Sequence, residues 1–306
     1  MVHLNAAAPH PDCFRNPTSP LWGEVITTLR EAKIQQEAEM PNSFKIDAHV
    51  HVFTTDMPLI DNPRHAPTYG FTHEELIATL DANGVDRAVI AAASPWGDYN
   101  DYMLAAVRAH PKRLRATAIF RRPMERFELE TMGREGFCGI RLPFIGLAQL
   151  PDITTFEYRA LFRRLADLDW HVHPHVEGND LPKILPTLEA SGVRIVVDHL
   201  GRPEPKAGIN SEGFKRLLQS IDKGRTWVKL SGGYRLGPQS KDYARELLRV
   251  AGPDRLVWAS DCPFVGHEGQ FSYQSTIDWL VDAIPNAGAR EKIFGATARV
   301  LYFGDD

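Results

Sequence analysis

Cysteine is scarce in this chain, and long apolar runs are absent from it. Its 306 residues include three cysteines, Cys13, Cys138 and Cys262, which lie far apart and form no Cys-x-x-Cys pair. An odd number of isolated cysteines is typical of free thiols in a reducing compartment, so we expect a cytoplasmic protein. No run approaches the roughly 20 apolar residues that span a bilayer, and no basic patch precedes an apolar segment near the N-terminus. We therefore expect neither secretion nor membrane insertion.

Neither sign of charge is in large excess. The 35 Lys and Arg residues and 39 Asp and Glu residues give a formal net charge of −4, spread along the chain. Such a distribution creates no long-range field that would attract nucleic acid or an anionic membrane. The sequence also lacks a Gly-x-Gly-x-x-Gly motif after its first predicted strand, a phosphate-binding loop and a Gly-x-Ser-x-Gly elbow. These absences argue against a dinucleotide-binding sheet and against a serine acyl-enzyme.

From residue 44 onward, short β-branched runs alternate with longer segments of helical period, which indicates βαβ units and a parallel sheet. The predicted strands are residues 44–48, 86–93, 114–120, 137–143, 170–176, 194–198, 226–230 and 256–260. The predicted helices are residues 73–83, 98–110, 125–134, 155–168, 179–190, 211–221, 239–251, 272–283 and 288–302. Eight such units favour an α/β fold of the (β/α)8 TIM-barrel type over an open doubly wound sheet. We place this barrel at residues 44–306 and interpret residues 1–43, with one predicted helix at 22–37, as an N-terminal extension.

Histidines end two of the predicted strands. A TIM barrel carries its active site at the carboxyl ends of the strands. The period of two residues in a strand puts His49 and His51 on one face, at the end of the first strand. Along the fifth strand, His171, His173 and His175 alternate, so we expect the first two to fill barrel-interior or helix-facing positions with satisfied hydrogen bonds and His175 to reach the mouth. A hydrogen-bonded pair that merely closes the strand is the alternative interpretation of His49 and His51.

Two further polar residues end apolar strands. His199 follows Val-Val-Asp after the sixth strand, and Asp261 follows Val-Trp-Ala-Ser after the eighth. A carboxylate at such a position is costly to bury unless it pairs or reacts. Neutral imidazoles and one carboxylate can bind a divalent metal such as zinc, or can polarise a carbonyl while the carboxylate takes a proton from water. Either chemistry is hydrolytic, and the predicted catalytic residues are His49, His51, His199 and Asp261.

Arginines follow three of the strands. Arg141, Arg202 and Arg235 come at or after the ends of the fourth, sixth and seventh strands. Guanidinium groups around one mouth can bind carboxylates in bidentate fashion. We therefore expect a small anionic substrate, bound by these arginines and His175. Ordinary ion pairs with carboxylates of the rim are the alternative interpretation of each arginine.

Five segments in order carry a resemblance to a known family: residues 47–53, 139–141, 170–177, 197–203 and 258–263. Together they resemble the amidohydrolase superfamily, and within it the lactone-hydrolysing enzymes of the amidohydrolase-related (amidohydrolase 2) branch. The resemblance extends from about residue 44 to the C-terminus and implies a lactonase of the kind that serves aromatic compound catabolism. It implies that Asp261 is the general base that activates water. The residues that would polarise the scissile carbonyl are His49, His51 and His199. Those that would bind substrate carboxylates are Arg141, Arg202 and Arg235.

Two positions depart from the lactonase pattern. The pyrone-dicarboxylate lactonases of this branch work without metal and have Tyr where this chain has His175, whereas metal-using members of the superfamily often have a histidine ligand there. They also carry a second arginine shortly after the position of Arg141, where this chain reads Phe-Ile-Gly-Leu at 144–147. We therefore expect at most one zinc-like ion, with His199 orienting water or carbonyl, and metal-free catalysis is the open alternative. The predicted ligands are His49, His51, His175 and Asp261. A cation at Arg141 would repel a second metal.

Other functions stay open at this point. Non-oxidative decarboxylases of aromatic or muconate-type acids resemble the same pattern, and hydrolysis of a cyclic amide or imide needs the same groups. A non-catalytic binding barrel is a further alternative, although a scaffold has no need for four polar residues at strand ends. The sequence also leaves a homo-oligomer open, and residues 1–43 could take part in it.

Overall fold

The computed structural model describes residues 44–304. Within them, eight strands form one sheet: β1 Ile46–Val50, β2 Arg87–Ala91, β3 Leu114–Ala118, β4 Phe137–Pro143, β5 His171–His175, β6 Arg194–Val197, β7 Thr226–Leu230 and β8 Leu256–Trp258. All eight predicted strands are confirmed, although β1 lies two residues later than predicted and β2, β3, β5, β6 and β8 are shorter. The helix predicted at 22–37 lies outside the described residues.

The strands close into a barrel. They lie in the order β1 to β8, and every neighbouring pair is parallel. Beyond β8, the chain returns to β1, where the His51 N–H donates to the Cys262 carbonyl at 2.8 Å and the Asp261 N–H donates to the His49 carbonyl at 2.9 Å. The TIM-barrel prediction is confirmed. The seam between β8 and β1 lies beside three of the predicted catalytic residues, His49, His51 and Asp261.

Helices cover the outside of the barrel. They are α1 His73–Ala82, α2 Asp101–Ala109, α3 Arg126–Arg134, α4 Phe156–Asp167, α5 Leu181–Ser191, α6 Glu212–Asp222, α7 Ser240–Ala251, α8 Tyr273–Ala283, α9 Ala287–Glu291 and α10 Thr297–Phe303. The single helix predicted over 288–302 is wrong in detail, because a π-helical turn at Lys292–Ala296 separates α9 from α10. In that turn Gly295 packs closely on Phe44. A Cβ added to Gly295 would lie 1.8 Å from the Phe44 carbonyl oxygen. Among residues 44–304, no helix is long and apolar enough to cross a bilayer.

The amino-terminal half of the barrel interior is apolar. Val89 of β2 and Val196 of β6 pack in one buried cluster although their strands are not neighbours, so this cluster lies inside the barrel. Leu301 of α10 belongs to it, and the His171 Nε2–H donates to the Leu301 carbonyl at 2.8 Å. His173 is also fully buried. The predicted burial of these two histidines is confirmed, but the prediction that their hydrogen bonds are satisfied is wrong for His173, since neither of its ring nitrogens has a partner among the described residues.

A register shift in β1 changes which of its side chains face the barrel interior. The pairing of β1 with β2 is irregular between Asp47 and Val50. Ala48 packs in the interior cluster, whereas Val50 packs outside with Leu76 and Leu80 of α1.

Candidate active site

A cavity of about 320 Å³ opens at the carboxyl ends of the strands. Most of its polar lining is basic: Arg64, Arg141, Arg202, Arg235, His51, His65, His175, His199 and His267. Asp261 is the carboxylate of the lining. Seven of the eight predicted site residues line this cavity, and the eighth, His49, lies beneath it with no exposed surface. The walls are therefore suited to an anionic ligand.

One oxygen of Asp261 is fully occupied by neighbouring side chains. Its Oδ2 accepts from the Tyr234 hydroxyl at 2.6 Å and from the Arg235 Nε at 2.8 Å. The backbone of Asp261 is left-handed, with φ of 67°, and His199 and Arg202 share this unusual conformation with φ of 50° and 46°. Backbone strain of this kind clusters at functional sites because it aims side chains that an ordinary turn would not.

The other oxygen of Asp261 faces three imidazoles. Its Oδ1 lies 3.4 Å from His51 Nε2, 3.6 Å from His49 Nε2 and 3.9 Å from His199 Nε2. Burial alone would raise the pKa of Asp261, but His199 and Arg235 outweigh burial and hold this pKa well below its ordinary value. Asp261 is therefore ionised at neutral pH, with one oxygen directed at the catalytic cluster.

Three imidazoles of this site, those of His49, His175 and His199, are neutral at pH 7 because their pKa values are lowered. Burial lowers the pKa of His199 to about 3. Burial, and then the charge of Lys229, lowers the pKa of His49 well below its usual value. Burial and then Arg141 do the same for His175. A neutral imidazole has one N–H donor and one acceptor nitrogen, so hydrogen bonds decide what each ring presents to a substrate.

Those hydrogen bonds form a directed chain through β1. Lys229 Nζ lies 3.0 Å from His49 Nδ1, and a charged ammonium can only donate, so His49 carries its own proton on Nε2. At the other end, His51 Nδ1 must donate to the Ala91 carbonyl at 2.7 Å, which leaves His51 Nε2 as an acceptor. The two Nε2 atoms are 3.3 Å apart, as a donor and an acceptor should be. Lys229 thus fixes the tautomer of His49, and the Ala91 carbonyl fixes that of His51.

Sequence reasoning did not select Lys229 or Asp198 for the site. Both are fully or almost fully buried, and Asp198 binds Lys229 Nζ at 3.0 Å through Oδ1 and Arg141 Nε at 2.9 Å through Oδ2. Burial would raise the pKa of Asp198, but Lys229 and Arg141 hold it well below its usual value. The available signal was a lysine inside the apolar run Thr-Trp-Val-Lys-Leu of β7, since a buried lysine requires a partner.

Each of the three predicted substrate arginines is in the cavity, and each also has a protein carboxylate as partner. Arg141 bonds Asp198 and donates to the Ala92 carbonyl at 3.0 Å. Arg202 lies 3.3 Å from Glu177. Arg235 holds Asp261. Both interpretations of these arginines, cavity lining and ion pairing, therefore describe the same side chains.

The sequence profile of the amidohydrolase family matches residues 46–304. The chain belongs to the amidohydrolase family. This amidohydrolase is 28% identical over 261 residues to a 4-sulfomuconolactone hydrolase from Hydrogenophaga intermedia, covering 81% of this chain and 84% of that one. It is 29% identical over 283 residues to a 2-pyrone-4,6-dicarboxylate hydrolase from Comamonas testosteroni, an alignment that covers 85% of this chain and 90% of that one. Among solved structures, an Acinetobacter baumannii protein assigned as a 2-pyrone-4,6-dicarboxylic acid hydrolase, with citric acid bound, superposes with a TM-score of 0.80 at 28% identity, covering 85% of this chain and 99% of that one.

A metal ion could be held in this amidohydrolase by His49, His199 and Asp261, whose donor atoms lie within 4.8 Å of one another. The group differs from the predicted ligand set, which contained His51 and His175 in place of His199. Zinc bonds of about 2.0–2.1 Å place tetrahedral ligands roughly 3.3 Å apart. The separations of 3.6 and 3.9 Å from Asp261 Oδ1 to the two imidazoles are close to that.

Metal binding at His49 would have to reverse one hydrogen bond. A ligating Nε2 must lose its proton, so His49 Nδ1 would carry it and donate to Asp198 Oδ1, 3.4 Å away, instead of accepting from Lys229 at 3.0 Å. The donor set of the amidohydrolase therefore fits an ion, while its hydrogen bonds favour the tautomer without one.

Nine of the residues that line the cavity were not predicted from the sequence, and four of them, Arg64, His65, Tyr234 and His267, are polar side chains on loops of the amidohydrolase. Arg64 and His65 belong to the long segment between β1 and α1, Tyr234 follows β7, and His267 follows β8. The length of the first segment was the available signal, since long loops at the mouth of a barrel commonly carry function.

Proposed function

We propose that this amidohydrolase opens a lactone that bears carboxylate groups. The observation that carries the proposal is the ionised Asp261, whose Oδ1 faces three imidazoles at 3.4 to 3.9 Å in an arginine-rich cavity. Such an oxygen can take a proton from water, while the arginines attract an anionic substrate. The names of the relatives, hydrolases of a sulfonated muconolactone and of a pyrone dicarboxylate, support the same reaction class.

In the proposed reaction, water attacks the lactone carbonyl. Asp261 Oδ1 accepts the proton of the water as the new C–O bond forms, and later returns it to the ring oxygen as the ester C–O bond breaks. His199 Nε2–H donates to the carbonyl oxygen, supported by the Ser231 hydroxyl 2.8 Å from Nδ1. His51 borders the water site beside Asp261, and His49, beneath the cavity, orients His51 through the contact of 3.3 Å between their Nε2 atoms. The proposed carboxylate-binding residues are Arg141, Arg202, Arg235 and His175.

We propose that this chemistry runs without a bound metal. An ion on His49, His199 and Asp261 would polarise the carbonyl and lower the pKa of water. The protein groups already supply a base and a neutral donor, and Lys229 supports the proton on His49 Nε2.

Chelation tests this point directly. We expect dialysis against a strong chelator to leave kcat/KM for lactone opening unchanged, because the base and the donors belong to the protein. Elemental analysis of the same sample, before and after dialysis, measures zinc and manganese per chain. Loss of activity that is restored by adding back zinc would contradict the metal-free proposal.

A substrate series tests the reaction class. Pyrones and saturated lactones with no, one or two carboxylates should be opened only when they are charged, because four arginines line the cavity. Ring absorbance reports opening, and the uncharged ring of the same size is the control. Release of CO2 from an aromatic acid, with no lactone opened, would favour decarboxylation instead.

A further inference from the structure

Arg64 differs from the other three arginines of the cavity in having no partner among residues 44–304. Arg141, Arg202 and Arg235 bond to Asp198, Glu177 and Asp261, respectively. Within the described part of the chain, Arg64 has neither a hydrogen bond nor an ion pair. Arg64 is therefore the cavity arginine that forms no direct ion pair within the described residues, and the charge of Glu177, which pairs with Arg202, acts on it only from a distance.

The nearest acidic side chains on this rim are committed elsewhere. Glu177 bonds Arg202. Glu268 accepts from the Gly266 N–H at 2.8 Å and from the Tyr69 hydroxyl at 3.2 Å. Partial burial, followed by repulsion from the other three arginines, lowers the pKa of Arg64, which places its charge in their common field. A small anion that enters the cavity reduces this repulsion.

The segment that carries Arg64 is attached to the barrel at several points. Phe53 and Phe71 exchange two backbone hydrogen bonds of 2.9 and 2.8 Å, and the Ile60 N–H donates to the Pro95 carbonyl at 2.9 Å. The ring of His65 packs against Gly266, where an added Cβ would lie 2.9 Å from it. Arg64 therefore lies at the mouth on a loop that these contacts fix in place. A fixed loop loses less conformational entropy when a ligand binds.

The side chain of Arg64 leans over the segment that follows β4. Its Cδ would lie 3.8 Å from a Cβ built on Gly146. That segment, residues 144–147, reads Phe-Ile-Gly-Leu and has no charge of its own. Arg64 thus supplies a cation, from a different loop, to the β4 side of the mouth.

We propose that Arg64 binds an anionic group of the substrate that is remote from the scissile ester, such as a second carboxylate or a sulfonate. This inference rests on the proposed lactonase function. In this proposal Arg64 contacts the remote anionic group and not the scissile ester, so it sets substrate preference and affinity rather than the rate of the chemical step.

The test compares Arg64→Met with wild type on two lactones of the same ring that bear one or two carboxylates. We expect KM for the dicarboxylate to rise about 10- to 100-fold, the range of a charged hydrogen bond, with kcat nearly unchanged. KM for the monocarboxylate should stay the same, and Arg64→Lys should recover part of the loss. Arg126→Met, which removes an exposed arginine paired with Glu130 on α3, is the matched control.

A binding measurement separates this proposal from the proposed function. Calorimetric titration with isophthalate and with benzoate needs no turnover, so it remains informative even for a protein that opens no lactone. Selective weakening of isophthalate binding in Arg64→Met supports the proposal. Equal weakening of both ligands, or no weakening of either, overturns it.

Discussion

Asp261→Asn should lower kcat/KM for lactone opening by about 10²- to 10⁴-fold, the usual contribution of a positioned general base. The amide is close in size to the carboxylate, and its oxygen can still accept from Tyr234 and Arg235. It cannot take a proton from water. The measurement is steady-state kinetics on the preferred lactone, with circular dichroism to compare the folded state and its melting temperature.

Asp222→Asn, an exposed carboxylate at the end of α6, is the matched control and should leave the rate unchanged. Full activity of Asp261→Asn would refute the assignment of Asp261 as the base. A melting temperature that fell together with the activity would point to a structural role for Asp261 instead.

Asp198→Asn should be the most destabilising single charge change in the barrel, with a loss of about 3 to 5 kcal/mol in the free energy of unfolding. Asp198 is the carboxylate that Lys229 and Arg141 share, so its loss leaves two buried cations without an anion. Lys229→Met should cost less, because Asp198 keeps Arg141 and because His49, once released by Lys229, can carry its proton on Nδ1 and donate it to Asp198. Urea unfolding of both variants measures the difference.

The double variant Asp198→Asn with Lys229→Met is the control for this asymmetry. It removes one of the two orphaned cations, so it should be more stable than Asp198→Asn alone, and the double-mutant cycle gives the coupling. A cost for Lys229→Met equal to or larger than that for Asp198→Asn would show that Asp198 does not neutralise the pair as described.

Local sequence patterns were sufficient for the strands and for the polar residues at their ends. The period of two in β1 predicted that His49 and His51 share a face, and their Nε2 atoms lie 3.3 Å apart. The same period predicted the interior places of His171 and His173. The period of two does not extend back to Ala48, which also packs in the interior because the register of β1 shifts between Asp47 and Val50.

By itself, the sequence determined the eight-unit barrel and the places where polar side chains interrupt apolar strands, because both follow from spacing along the chain. Only the tertiary structure decided how those side chains are partnered. The proton on His49 is set by Lys229, 180 residues away, and the charge of Asp198 is shared between cations of β4 and β7. Arg64 reaches the mouth from a loop without strand-end spacing. These contacts form only when the barrel closes and excludes water, so the charges then depend on neighbours that no local pattern reveals.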